Sequence, residues 1–149
     1  MALHKKSIDY IKNVSLFFSE FASLVTLTES DAAECVKYLS EMCGFSSLRF
    51  PAIITEAGYC GCNFRELWCD AVNACGDTLF FNKEVKNLLL SFSEAFGKLG
   101  KAEFSEKCKQ YSLRASEIYE KESRHREANS SVLSGLCVFC AAAIFIIFA

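Results

Sequence analysis

The feature that most constrains this chain is an uncharged stretch at its carboxyl-terminal end. The last charged residue is Glu127, and residues 128–149 contain no Asp, Glu, Lys or Arg. From Val132 the sequence reads VLSGLCVFCAAAIFIIFA. As an α-helix this segment extends about 27 Å, close to the roughly 30 Å thickness of a bilayer hydrocarbon core. The pattern predicts a transmembrane helix over residues 131–149.

The residues expected to contact lipid are the aliphatic and aromatic members of this stretch. At roughly −0.3 to −0.6 kcal/mol each, they favour insertion by about 3 to 6 kcal/mol in total. They are Val132, Leu133, Leu136, Val138, Phe139, Ile144, Phe145, Ile146, Ile147 and Phe148. A buried core helix is the alternative interpretation, but a small domain rarely needs an uncharged stretch of this length.

Charges just before the stretch predict its orientation. Lys121, Arg124 and Arg126 precede it and no charged residue follows, and basic residues favour the cytoplasmic side. We therefore expect a single-pass protein of the cell membrane whose soluble domain, residues 1–119, lies in the cytoplasm. Residues 120–130 would form a charged stalk.

The stalk is expected to be helical and stabilised by ion pairs along its own surface. Glu117 and Lys121 are four residues apart, as are Glu120 and Arg124. Opposite charges at this spacing stabilise a solvated helix.

Composition narrows the possible classes of protein. The 149 residues carry a formal net charge of −2, which gives no electrostatic support for nucleic-acid binding. Fourteen phenylalanines are too many for a disordered chain. Asp9, Lys12 and Glu20 interrupt the amino-terminal region, so no secretory signal is recognisable. The nine cysteines are therefore expected to be reduced thiols that pack as small apolar side chains.

Apolar residues recur at steps of three and four through residues 1–119, which predicts an all-α bundle of about five to six helices. The last helix is expected to be long and to continue into the membrane. The three clearest stripes are Ile11, Val14, Phe18, Phe21 and Val25; Val85, Leu88, Leu89, Phe92, Phe96 and Leu99; and Phe104, Cys108, Tyr111, Ala115 and Ile118.

Capping residues indicate where the helices begin. Thr28 followed by Asp31 approximates a capping box, and Asn63 and Asn82 are further helix starts. Residues 50–55 could form a strand, but they lack a partner strand, so a helix is favoured. Glycines predict the helix ends: Gly44, Gly76, Gly97 and Gly100.

Four cysteines form the best candidate for a metal site. Cys60, Cys62, Cys69 and Cys75 could hold zinc tetrahedrally, but the paired CxxC spacing of zinc sites is absent. Packing of the thiols is the default interpretation. A tail-anchored thiol or zinc-binding protein is therefore the alternative function, and the primary expectation is that no metal and no cofactor is bound.

The sequence offers no constellation typical of catalysis. His4 and His125 are far apart in the chain, and a solvated position is the expectation for His125. Phosphate-binding loops, nucleophile elbows and zinc-protease motifs are absent. We expect no catalytic residues and predict that the protein is not an enzyme.

Several short segments, in their order along the chain, resemble the stage III sporulation protein AB family of endospore-forming bacteria. The segments are Thr28 to Ala33, Phe64-Arg65-Glu66-Leu67-Trp68, Phe96-Gly97-Lys98-Leu99-Gly100 and Ser131-Val132-Leu133-Ser134-Gly135-Leu136. The resemblance covers about residues 8–149.

The resemblance implies a fold and a role. The family looks like the cytoplasmic helical domain of the F component of type II secretion platforms. By that likeness the chain would be a noncatalytic platform in a channel-like sporulation complex, on the mother-cell side. Its partners would be other proteins of the complex, including a cytoplasmic ATPase.

Overall fold

The computed structural model describes residues 2–58, 63–75 and 82–148, with side chains except those of Ala2 and residues 144–148. In these ranges the chain forms six α-helices, two short 3-10 helices and no strand, so the all-α prediction is confirmed for the described part. The α-helices are α1 (Ala2–Leu27), α2 (Ala32–Glu41), α3 (Phe50–Ala57), α4 (Phe64–Ala74), α5 (Lys83–Phe92) and α6 (Lys101–Phe148); the 3-10 helices are Cys43–Leu48 and Ser93–Ala95.

Helix α1 packs along α6 more extensively than any other pair of described elements. The two helices are antiparallel, because Thr26 bonds to Ser105 while Ser15, earlier on α1, bonds to Ser112, later on α6. The apolar stripe predicted on α1 is buried against the bundle. The helix begins at Ala2, nine residues before the first residue of that stripe.

The second helix begins at a different cap from the one predicted. Asp31 is the N-cap of α2, and its side chain accepts a hydrogen bond of 2.9 Å from the backbone N–H of Glu34. The prediction of Thr28 as the cap was wrong. Its hydroxyl donates back to the carbonyl of Leu24 at 2.7 Å, just after the last residue of α1.

A strained residue precedes α3. Arg49 has φ 64°, the one positive φ of a non-glycine residue in the described ranges, and its carbonyl accepts from the N–H of Ile53 at 3.1 Å. Pro51 lies in the first turn of α3, where a missing N–H is tolerated. The helical interpretation of residues 50–55 is confirmed.

Two of the predicted caps are confirmed. The side chain of Asn63 accepts from the N–H of Arg65 at the start of α4, and that of Asn82 accepts from the N–H of Val85 at the start of α5. The predicted stop at Gly76 lies outside the described residues. Gly97 has φ 80°, a conformation that favours glycine, and it turns the chain toward α6.

Trp68 lies at the centre of an aromatic core. It is fully buried, and its indole N–H donates to the carbonyl of Leu89 at 2.7 Å. Aromatic rings surround it with centroid separations of 5.1 to 6.3 Å: Phe17, Phe50, Phe92 and Phe96. These residues come from α1, α3, α4, α5 and the turn after it, so one side chain joins most of the bundle.

Candidate functional site

The long helix α6 changes character along its length. Four residues of the stripe predicted on this helix are buried in the bundle: Phe104, Cys108, Tyr111 and Ala115. Every described side chain over residues 124–143 is exposed. The helix therefore leaves the bundle and continues without a packing partner among the described residues.

Large apolar side chains cover the projecting part of α6. They are 62 to 81% exposed: Val132, Leu133, Leu136, Val138 and Phe139. Because successive residues turn by about 100° around a helix, these five positions cover an arc of about 220° rather than one narrow stripe. No single face could bury them all against the bundle.

Within the described residues, no helix is both long enough and apolar enough to cross a membrane. The predicted span falls partly outside this range. The side chains of Ile144, Phe145, Ile146, Ile147 and Phe148 are not among those described, although the backbone there is helical.

Charged residues surround the point where α6 leaves the bundle. Arg124 pairs with Glu120 at 3.2 Å, as predicted. Lys121 pairs with Glu84 of α5 at 2.7 Å rather than with Glu117. This hydrogen bond raises the pKa of Lys121.

The beginning of the predicted stalk, residues 120–130, is not free of the bundle, because Lys121 pairs with a residue of α5. Asn82 also donates to Glu122 at 3.4 Å, so the start of α5 is joined to the beginning of the predicted stalk. The packed region therefore reaches past residue 119 on this side of α6.

An open groove lies beside this exit point. It has a volume of about 1040 Å³. Helix α1 contributes Ile8 and Asp9, and α6 contributes Tyr119, Ser123 and Arg126 among its lining residues. The groove is wide and open, and it continues along α6 onto the apolar positions Val138 and Phe139.

The described part of the chain contains no group of three or more His, Cys, Asp or Glu residues placed to hold a metal ion. Of the predicted zinc ligands, Cys75 is buried and Cys69 is partly buried. Cys60 and Cys62 lie outside the described residues, so the four-cysteine site stays a prediction.

The buried thiols have the character of core side chains. Burial raises the pKa of Cys75 and of Cys35, and raises that of Cys108 to about 12. A thiol must lose its proton to act as a nucleophile or a metal ligand. At neutral pH these three groups are protonated.

The histidines lie on the surface. His4 and His125 are both exposed, the position expected for His125. That the protein is not an enzyme stays a prediction.

Sequence reasoning missed a polar contact inside the α1–α6 interface. Thr26 and Ser105 lie 2.9 Å apart through their hydroxyls, and Ser105 also donates to the carbonyl of Ala22 at 3.1 Å. Ser105 and Ser112 flank Cys108 at helical spacing within the apolar seam. That placement of small hydroxyl residues on a buried face is the signal that could have revealed the contact.

These features define an all-helical bundle protein whose last helix projects from the bundle and presents large apolar side chains over more than half of its circumference. The family model described as Stage III sporulation protein AB (spore_III_AB) matches residues 11–149. The chain belongs to this family, which implies a role in sporulation. No curated protein and no solved structure is detectably similar to the chain.

Proposed function

We propose that the chain is a noncatalytic component of a sporulation complex, anchored in the cell membrane by the end of α6. What supports the anchor is the apolar surface around the projecting helix together with the sequence that follows it. An uncharged helix with large apolar side chains over more than half of its circumference is stable where it is buried, in a protein core or in lipid. The bundle does not bury this helix, since the described side chains of residues 124–143 are exposed.

The orientation is inferred from the charges at the exit point. Lys121, Arg124 and Arg126 precede the apolar part of α6, and basic residues at this position favour the cytoplasmic side. The bundle would then lie in the cytoplasm, and by the family resemblance in the mother cell.

The bundle is proposed to act as a platform for protein partners. Family membership supports partners in a sporulation complex. The likeness to the F component of type II secretion platforms extends this proposal to a cytoplasmic ATPase. In this role the helices present surfaces, and the rigid aromatic core around Trp68 holds those surfaces in place.

Charged substitutions in the projecting helix test the anchor. Leu136→Arg with Phe139→Arg places two charges in the apolar part, at a cost of about 2.5 to 3.5 kcal/mol each. That cost is comparable to the entire estimated insertion energy. The double variant should leave the membrane fraction after alkaline extraction.

Leu113→Arg is the matched control. Leu113 is 66% exposed and Leu136 is 62% exposed, but Leu113 lies on the part of α6 that packs in the bundle. This variant should stay in the membrane fraction. Recovery of the unaltered protein in the soluble fraction would contradict the anchor.

The sporulation role is tested in the host. Deleting the gene should block spore formation around or after engulfment and leave vegetative growth unchanged. The unaltered chain and the Leu113→Arg variant should restore spores, and the double variant should not. Normal spore numbers in the deletion strain would overturn the proposed role.

A further inference from the structure

The amino-terminal end of α1 lies level with the point where α6 leaves the bundle. Ser15 and Ser112 are hydrogen-bonded partners. Ala2 is about 20 Å along α1 from this contact, and Arg126 is about 21 Å along α6 in the same direction, at 1.5 Å per residue. The groove shared by Ile8, Asp9, Ser123 and Arg126 supports the same alignment.

The first two turns of α1 present a basic and partly apolar surface at that level. Leu3 is 63% exposed, and His4, Lys5 and Lys6 are also exposed. Residues 2–8 contain no acidic side chain. Within the described residues, neither lysine takes part in an ion pair.

The large apolar side chains of α6 begin a short distance further on. Val132 lies about 9 Å beyond Arg126 along the helix. Lipid headgroups occupy roughly 5 to 7 Å on each side of the hydrocarbon core. Ala2 lies about 10 Å short of Val132 by the same measure. If the apolar part of α6 is in lipid, the start of α1 therefore faces the outer edge of the headgroup layer.

We propose that residues 2–8 form a second membrane contact, which binds anionic phospholipid headgroups through Lys5 and Lys6. This inference rests on the proposed anchoring of α6. Basic side chains close to an anionic surface are attracted to it. Acidic residues are also near, Asp9 on α1 and Glu127 on α6, so the contact is local to the first two turns.

The test measures amide hydrogen exchange on the full chain in lipid nanodiscs, made from phosphatidylcholine with or without phosphatidylglycerol. Exchange in residues 2–8 should slow by up to about 25-fold when phosphatidylglycerol is present, because each of the two lysines strengthens the attraction about fivefold. Raising the salt concentration should reverse the effect. Equal protection in both lipids, or none in either, would overturn the proposal.

Charge reversal supplies the matched comparison. Lys5→Glu with Lys6→Glu should abolish the protection in anionic discs. Lys107→Glu with Lys109→Glu makes the same change in charge on exposed positions of α6, about 25 Å from Arg126, and should preserve it. Loss of protection in both variants would overturn the proposal, because it would reflect net charge alone.

Exchange in residues 132–148 separates this inference from the proposed anchor. Strong protection there with free exchange in residues 2–8 overturns only the α1 contact. Free exchange in both segments contradicts the anchor itself.

Discussion

Ser15 and Ser112 bind each other reciprocally across the interface between α1 and α6. The hydroxyl of Ser15 donates to the carbonyl of Ser112 at 3.0 Å, and the hydroxyl of Ser112 donates to the carbonyl of Ser15 at 2.8 Å. Because both side chains are small, the two helix backbones approach closely at this point. The contact aligns the amino-terminal end of α1 with the exit of α6 from the bundle.

Removing one of these hydroxyls should weaken the bundle. Ser112→Ala is expected to lower the free energy of unfolding by about 1 kcal/mol, since it deletes a donor to a partly buried carbonyl. Ser112→Leu should cost about 1 to 3 kcal/mol, because the larger side chain forces the helices apart. Urea unfolding in detergent, followed by tryptophan fluorescence, measures both.

Ser23→Ala is the control for the serine contact. Its hydroxyl is exposed and bonds within α1, to the carbonyl of Ser19. The free energy of unfolding should change by less than about 0.5 kcal/mol. An equal loss of unfolding free energy in Ser23→Ala and Ser112→Ala would show that the reciprocal contact contributes no more to stability than an exposed serine hydroxyl does.

Trp68→Phe should destabilise the core. The substitution leaves the carbonyl of Leu89 without its indole donor and opens space among four aromatic rings. We expect a loss of about 2 to 3 kcal/mol in the free energy of unfolding, measured by circular dichroism because the sole tryptophan is removed. Leu113→Ala, on the exposed surface, should change it by less than about 0.5 kcal/mol. Unchanged stability of Trp68→Phe would argue against a central role for this residue.

Arg49→Gly should stabilise the protein. At φ 64° a residue with a Cβ atom is strained by roughly 1 to 2 kcal/mol, and glycine relieves this strain. The greater freedom of glycine in the unfolded chain offsets part of that stabilisation. We expect a net increase of about 0.5 to 1 kcal/mol, seen as a higher melting temperature. Lys37→Gly, within α2, should have the opposite sign and cost about 1 kcal/mol.

The stability of the protein should fall at alkaline pH. Burial raises the pKa of Cys108 to about 12 and raises that of Tyr10, so the folded state keeps protons that the unfolded state releases. The contribution of Cys108 is fully present below the ordinary thiol pKa of about 8.5 and is lost as pH rises toward 12. In that range the Cys108 thiol contributes up to about 1.4 kcal/mol per pH unit to the fall in the free energy of unfolding.

Cys108→Ala tests this pH dependence independently of its effect on packing. The variant should be less stable at pH 7, but its stability should fall less steeply between pH 9 and pH 11 (about 1.4 kcal/mol less per unit). Denaturant unfolding at several pH values gives both slopes. Identical slopes would show that the Cys108 thiol does not contribute to the pH dependence.

Local signals in the sequence were enough to locate most helices. The caps at Asn63 and Asn82 were predictable because an N-cap side chain bonds to backbone two or three residues away. The error at Thr28 has the same local origin. Both Thr28 and Asp31 are good caps, and the pattern alone does not tell which one ends α1 and which one begins α2.

Contacts between distant segments could not be predicted in this way. Lys121 has an acidic residue four positions earlier on its own helix, and the sequence therefore favoured Glu117 as its partner. In the folded chain Glu84 lies closer, because α5 packs beside the exit of α6. The aromatic rings around Trp68 are also separated along the chain. Periodicity identified Phe92 and Phe96 as members of a core stripe, but it did not identify Phe17 or Phe50 as core or any of the four as neighbours.

The uninterrupted course of α6 has a mechanical consequence. Its 48 residues form a rod about 72 Å long, and the protein's single proline, Pro51, lies elsewhere. Tilting or twisting the projecting end would exert a torque directly on the interface between α6 and α1. Force applied at either end would then be transmitted to the other without a hinge to absorb it.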